Sequence, residues 1–470
     1  MPVLLRIAGA PLAGYVAIAV PWIAALIVAV YGRHVRVIGF LAALLSAILC
    51  AMPTGAGFAG QSLYQALMLL FCCLTLGATL ILPRRDCSAG TIAGILFLLG
   101  STLLAYSAEN LVVLLAAWIL SAVPFFVPRW FQAQAWRPRA ALLLSAIALA
   151  MAVAQIAASA HTIRIADLNG QNPGGTAAFG LLVAAVIFRK GILPAHAWVA
   201  DAVEGGPGIP TALLLSGHFG ALLVAKLIVP LFAGATAVWF PVLSHLAMAT
   251  ALYIAIRALS ENSPRRLLAF IALSQSAAIL AGLESGTAEG ITGALVHWYV
   301  VTVSTVGLLG ILRLLEVRFG ENLTVSTHLG LTGHAPRLAV SFAVLGLALV
   351  GLPGTLSFCS QDLLIHGTLQ SHPLTGLLLP IATAMNAISI FRLFTRLFLG
   401  KRRTGFTAVV DALPRERWIL AAGLVFVVVG GLFPGAIVAR RSAEAEVVKK
   451  EFHAGHLARE SSESGSRRRR

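Results

Sequence analysis

Fourteen apolar stretches joined by short loops leave this chain of 470 residues little to fold into except a bundle of helices crossing a bilayer. About 20 apolar residues span a hydrocarbon layer of roughly 30 Å, and at that depth backbone polar groups are satisfied only inside helices or closed barrels. The stretches lie near 8–31, 36–52, 62–82, 90–107, 109–127, 138–158, 174–201, 209–232, 238–258, 265–282, 289–315, 337–368, 372–398 and 416–438. The composition is 59% hydrophobic and 11% charged, with a mean hydropathy of +0.90, which leaves no wetted soluble domain. Several stretches nevertheless carry a charge or a proline at membrane depth, above all Phe188-Arg189-Lys190-Gly191-Ile192-Leu193-Pro194. An ionisable group inside a bilayer costs at least about 2.5 kcal/mol on insertion scales and marks an ion pathway by default.

The net charge of +16 would suggest nucleic acid in a soluble protein. Here the bases sit in short loops, where they orient helices during insertion, so no nucleic-acid partner is expected. They follow the odd-numbered stretches: Arg33 and Arg36; Arg84 and Arg85; Arg129, Arg137 and Arg139; Arg257, Arg265 and Arg266; Arg313, Arg318 and Arg337; Lys401, Arg402, Arg403, Arg415 and Arg417. Loops after the even-numbered stretches are nearly free of them, Arg164 being the main exception. The positive-inside bias makes the basic loops cytoplasmic, in a bacterial-type inner membrane with both termini on the outer side. Met1 to Ala10 lacks the charged start and cleavage site of a signal peptide. From Arg440 the chain turns polar and ends in four arginines, Arg467 to Arg470, which reads as a disordered tail that is solvated or meets lipid headgroups.

Cys50, Cys72, Cys73, Cys87 and Cys359 lack metal-ligand spacing and read as reduced structural thiols. No phosphate loop, iron–sulfur spacing or haem motif is present, so no cofactor, no metal and no catalytic or redox site are expected.

Two stretches carry helix breakers. Residues 174–201 contain Lys190 followed by Leu193-Pro194, and residues 337–368 contain Gly351-Leu352-Pro353-Gly354. Proline removes a backbone donor and clashes with the preceding turn, so both helices should break near mid-membrane, with Pro194, Pro353 and Gly354 at the breaks. Broken helices in matching positions of two halves point to an inverted-repeat transporter. Each break falls fourth in a block of five stretches, 90–232 and 238–398. Residues 1–89 then form three leading spans, 399–439 the last span with its loop, and 440–470 the tail.

Three ordered motifs over about residues 90–400 resemble the antiporter-like membrane subunits of respiratory complex I and of multi-subunit cation/proton antiporters. The first runs from Lys190 through Pro194, His196, Trp198, Asp201 and Glu204 to Pro207; the second from Ser263 through Arg265, Arg266 and Phe270 to Ser274 and Gln275; the third from Gly351 through Pro353, Gly354 and Phe358 to Gln361 and Asp362. The resemblance implies an all-α polytopic protein of about fourteen transmembrane helices, with two inverted five-helix units around a hydrated polar axis. It implies proton relay by Lys190, His196, His218, His297, Gln361 and Asp362, supported by Arg189, Asp201, Glu204, Arg265, Ser274, Gln275, Thr305 and His366. Elementary chemistry agrees for two of these. Desolvation disfavours the charged form of a buried lysine, so Lys190 can alternate between ammonium and amine, and an imidazole such as His196 titrates in the useful range. Lys226 reads as a residue snorkelling from a helix end, and Glu109 as an interface residue.

The departures matter too. Ile119 stands where the family usually has the glutamate that pairs with the lysine, and Val301 and Thr305 stand where a second histidine and a central lysine would be. Three functions follow from the resemblance: a proton-conducting subunit of a complex I-like or antiporter assembly, a membrane subunit coupling proton flow to inorganic carbon uptake with a soluble zinc carbonic-anhydrase-like partner, or a non-conducting structural subunit. In each the partners are other membrane and soluble subunits and the lipid bilayer.

Overall fold

A computed structural model describes residues 12–52, 62–128, 130, 135–320, 323–401 and 410–450. Met1 to Ala10, Arg129, Arg402, Arg403 and the run Arg467 to Arg470 lie outside the described residues. The chain is helical throughout: α1 (Leu12–Tyr31), α2 (Val35–Ala51), α3 (Ser62–Ile81), α4 (Ala89–Ser107), α5 (Leu111–Ala122), α6 (Trp136–Ala160), α7 (Gly175–Lys190), α8 (Ala197–Gly205), α9 (Gly208–Ser216), α10 (Phe219–Leu223), α11 (Val229–Leu231), α12 (Ala233–Ser260), α13 (Pro264–Leu283), α14 (Ala288–Phe319), α15 (Pro336–Leu349), α16 (Leu356–Ser371), α17 (Pro373–Phe398), α18 (Pro414–Leu432) and α19 (Gly435–Lys450). Among the described residues the strand-like pairing is one isolated bridge, Asn110 to Arg164.

Nine of these helical segments are long and apolar enough to cross a membrane, or ten if the bent pair α18 and α19 counts as one. The sequence count of fourteen is larger for a physical reason. α2, the α5 segment and α15 are apolar but short, and α7 stops after 16 residues at Lys190. The most buried spans are the α9–α11 segment and α13, each 94% buried over its spanning window, and α14 at 83%, against 33% in α1 and 39% in α17. A helix that is apolar on every face belongs in the middle of a bundle. Ser263 caps α13 by accepting from Arg266 N, with Pro264 in the first turn, and Thr287 caps α14 by accepting from Gly290 N.

Three interruptions shape the interior. α7 ends in Gly191 at φ +73°, where a Cβ would meet the Val199 side chain at 2.6 Å; Pro194 follows, and α8 starts at Ala197. α15 ends before Gly351 (φ +83°), Pro353 and Gly354 (φ +86°), and the chain resumes as α16. The third was not expected: α9 and α10 are separated at His218, a non-glycine residue at φ 41°, and α10 runs into a π-helical turn over Val224–Ile228. Left-handed backbone at a bulky residue and π-bulges both recur at functional sites.

The polar tail also begins later than its composition suggests. Residues 435–450 form α19, bent 79° from α18. Its Arg441 is buried, pairs with Glu444 at 2.6 Å and lies over the Tyr299 ring at 5.4 Å. Intrahelical pairing and an aromatic face thus hold charges that looked solvated.

Candidate functional site

Lys190 is the last residue of α7, 5% exposed, and the break behind it aims its side chain into the protein. Gly220 opposite gives it room: a Cβ there would collide with the lysine stem. Nζ lies 2.9 Å from His218 Nδ1 and donates to Ser276 Oγ, which is itself 3.3 Å from the same imidazole nitrogen. The αL backbone at His218 thus presents its ring to the lysine. A cavity of about 30 Å³ adjoins this cluster, with Ser216 and Thr305 on its wall. That volume fits about one water molecule, and the Ser216 and Thr305 hydroxyls face it without a protein partner.

Three consecutive residues of α13 turn this cluster into a chain, because successive helical side chains point about 100° apart. Ser276 meets Lys190 and His218. Gln275 Oε1 lies 2.9 Å from His297 Nε2. Ser274 accepts from Asn386 Nδ2 at 2.8 Å and donates to the Ala251 carbonyl at 2.8 Å. His297, fully buried on α14, places Nδ1 3.0 Å from Ser360 Oγ on α16. Donation from its Nε2 to Gln275 leaves Nδ1 as an acceptor, and the single hydroxyl hydrogen of Ser360 is shared between that nitrogen and the Ser357 carbonyl at 2.9 Å. His218 and His297 are close enough to interact electrostatically, with Trp298 edge-on to His218 at 5.5 Å. Lys190, His218 and Ser276 form one hydrogen-bonded group and Gln275, His297 and Ser360 another, and neighbouring positions on α13 set the two side by side as one polar line, buried except at the half-buried Ser276.

Other sequence candidates stand elsewhere. Arg189 turns away from the line: it donates to Ser121 Oγ at 2.6 Å and its guanidinium lies over Phe219 and Trp118 at 4.8 and 5.3 Å. Among the described residues neither Arg189 nor Lys190 is in a salt bridge. Ile119 is 43% exposed on α5. His196 is half-buried, edge-on to Tyr253 at 5.2 Å, outside the Lys190 cavity. Gln361 is buried and folds over Gly351 in the second break, its Nε2 without a protein partner. Asp362 and His366 face outward, with side chains 61% and 65% exposed and 3.5 Å apart. α16 places them on the far side from Ser360, so in this chain they do not meet the polar line.

Asp201, Glu204 and Arg265 belong to a clamp at the arginine-rich face. Arg265 grips Glu316 through two nitrogens at 2.6 and 2.5 Å and reaches the Glu204 and Gly206 carbonyls at 3.1 and 3.2 Å. Arg313 joins Glu316 to Asp86, while Arg266 bridges Asp201, Glu204 and Glu261. This clamp fixes the end of α8 and frames a polar recess of about 870 Å³.

Sequence reasoning missed Ser276, although it directly follows the Ser274-Gln275 pair, and misread Lys226. That lysine is 7% exposed rather than snorkelling: Nζ donates to the Tyr106 carbonyl at 2.6 Å and lies 4.7 Å from the Tyr64 ring centroid. No group of three or more His, Cys, Asp or Glu side chains suited to a metal occurs among the described residues.

The fold has solved counterparts. Respiratory complex I of Thermus thermophilus contains a chain that superposes with a TM-score of 0.81 at 22% identity, over 93% of this chain and 99% of that one. The Mrp complex of a Dietzia species contains another, with a TM-score of 0.79 at 19% identity over 93% and 98%. In sequence, NADH-quinone oxidoreductase subunit N of Alkalilimnicola ehrlichii is 27% identical over 262 residues, 55% of this chain and 53% of that protein. NADH-quinone oxidoreductase subunit M of Mycobacterium tuberculosis is 28% identical over 261 residues, 54% and 46%. The chain spans about half the length of the curated relatives it matches. A family model described as NADH:quinone oxidoreductase/Mrp antiporter, transmembrane, matches residues 140–386, a stretch that holds the whole polar line from Lys190 to Ser360. With more than half of its length inside that match, this multi-pass membrane protein belongs to the NADH:quinone oxidoreductase/Mrp antiporter membrane-subunit family.

Proposed function

We propose that this chain is the proton-conducting membrane subunit of a multi-subunit assembly of the complex I or cation/proton antiporter type. The observation that carries the reading is a pair of hydrogen-bonded groups, one of Lys190, His218 and Ser276 and one of Gln275, His297 and Ser360, set side by side by neighbouring residues of α13. An amine hydrogen-bonded to an imidazole, with no carboxylate to fix its charge, can hand over its proton instead of merely holding it. Lys190 loads and empties, His218 and His297 pass the proton, and Gln361 holds water in the second break. Fourteen crossings follow if each broken helix is one crossing and the short helices α2 and α5 also cross. Residues 90–232 and 238–398 are then two inverted units, the arginine-rich face is cytoplasmic in an inner membrane, and both termini lie outside.

On this reading its partners drive the flow or are driven by it. The test is purification of the tagged chain in mild detergent, identification of what accompanies it, and proton translocation by that assembly after reconstitution. Lys190→Ala should assemble normally and lose translocation, whereas full translocation in that variant removes the proposed axis. A quinone-reducing or antiporter module among the companions supports the assembly proposed here. A soluble zinc protein would point to inorganic carbon uptake instead.

A further inference from the structure

Lys226 is buried, charged when protonated, and absent from the line just described. It sits in the π-helical turn Val224–Ile228, about two turns of helix, or about 12 Å, beyond His218 toward the face opposite the arginine-rich loops. A π-turn places a side chain where a regular helix cannot and recurs at functional sites. Tyr106 spans the interval from both ends. Its hydroxyl donates to the Gly217 carbonyl at 2.8 Å, beside the His218 break, and its own carbonyl accepts from Lys226 Nζ at 2.6 Å. His218 Nδ1 faces Lys190, and its Nε2 has no protein partner. Three residues past Tyr106, Glu109 lies within electrostatic reach of Lys226. Its backbone is pinned at the face by the Ile165 N to Glu109 O bond at 3.0 Å, and it is half-buried.

We infer that Tyr106, Lys226 and Glu109 form a proton outlet from the first half of the molecule, leaving the polar line at His218 and opening on the face opposite the arginine-rich loops. His218 takes a proton from the Lys190 ammonium at Nδ1 and releases one from Nε2. Water beside the Tyr106 hydroxyl carries it to the neutral Lys226 amine, and the resulting ammonium protonates the Glu109 carboxylate, which gives it to bulk water. Lys226 and Glu109 return to their starting forms, while Lys190 must be reloaded and His218, left as the Nδ1–H tautomer, must turn its ring or exchange its proton before the next cycle. Glu109 attracts the proton to this end of the route, and the step to the carboxylate runs uphill until solvent removes the proton from the half-buried acid.

This inference rests on the proton-conducting reading, and the test separates the two. Reconstituted assemblies carrying Lys226→Ala, Glu109→Gln or Lys190→Ala are compared for proton release. Lys226→Ala should assemble and lose at least about tenfold in release, with methylamine at millimolar levels restoring part of it, since a small amine can occupy the vacated space. Glu109→Gln should slow release severalfold, with recovery at high concentrations of a diffusible buffer. A loss in Lys226→Ala that methylamine leaves untouched, or full release by that variant while Lys190→Ala is inactive, overturns the outlet and leaves the axis standing. Full release in Lys190→Ala overturns both.

Discussion

The two broken helices use the same backbone device and carry different cargo. In each, a glycine in left-handed conformation ends one helix, a proline prevents its continuation, and a second helix resumes within several residues. Around the first break the structure buries a lysine and a histidine in hydrogen bonds with each other and with a half-buried serine. Around the second it buries the amide of Gln361, while the nearby acid, Asp362, faces outward. A break supplies room and unpaired backbone groups in both places, but a charge that can appear and disappear exists only in the first. On the proposed reading the switching element lies in the first half and His297 relays in the second.

Replacing the lysine with a cation that cannot let go of its proton should break this contrast most severely. Arginine retains its charge at all physiological pH values, so Lys190→Arg keeps the electrostatics and removes the cycle. Translocation should fall on the order of 100-fold, as far as in Lys190→Ala. Activity near that of the unmodified chain would mean that Lys190 only holds charge.

The second-half relay should matter less but measurably. His297→Leu removes a ring that joins Gln275 to Ser360 and leaves both without that partner inside the bundle. An unmet buried polar group costs about 1–3 kcal/mol, and a rate loss of roughly tenfold corresponds to 1.4 kcal/mol of that. His297→Gln keeps one donor and one acceptor but no ring that can take and release a proton, so it should lose as much flux as His297→Leu. Recovery of flux in His297→Gln would make the imidazole a bridge for water rather than a proton carrier.

The backbone device itself can be compared directly. Gly191→Ala and Gly351→Ala both put a side chain on left-handed backbone, at a cost of about 1–2 kcal/mol, and both add a clash. At Gly191 the new methyl meets Val199, and at Gly351 it meets the Gln361 amide. Both variants should therefore lower the thermal midpoint of the purified assembly. Gly191→Ala should also reduce translocation, because the same turn aims Lys190, and a midpoint shift without loss of flux would separate the break from the switch.

Much of this was legible in the sequence because it depends on composition and on residues with fixed backbone consequences. The apolar stretches, the Lys190 to Pro194 and Gly351 to Gly354 interruptions, and the family motifs are of that kind. What was not legible depends on which way a side chain points on a helix with no amphipathic stripe. Lys226 near a helix end had every sign of a snorkelling residue, and only the π-turn at Val224–Ile228 turns it to the Tyr106 carbonyl. Ser276 carries no mark in the sequence, and its place beside His218 and Lys190 is set by how α7 and the His218 break pack on α13. Arg441 and Glu444 read as part of a solvated tail because composition does not reveal that Tyr299 waits beneath them.

Asp362 provides the smallest and most discriminating effect. Adjacent to Gln361 in sequence, it emerges on the opposite side of α16, because neighbouring residues on a helix diverge by about 100°. Its carboxylate faces outward beside His366 and makes no contact with Ser360 or His297 in this chain. An ion pair so exposed contributes about 0–1 kcal/mol, so Asp362→Asn should change proton translocation by less than about twofold and leave the thermal midpoint nearly fixed. A loss as large as that in Lys190→Arg would move the switch. It would mean that a neighbouring subunit covers this face of α16 and completes, with Asp362, a second charged site that the single chain leaves half-built, and the two breaks would then differ only in which chain supplies the lysine's counterpart.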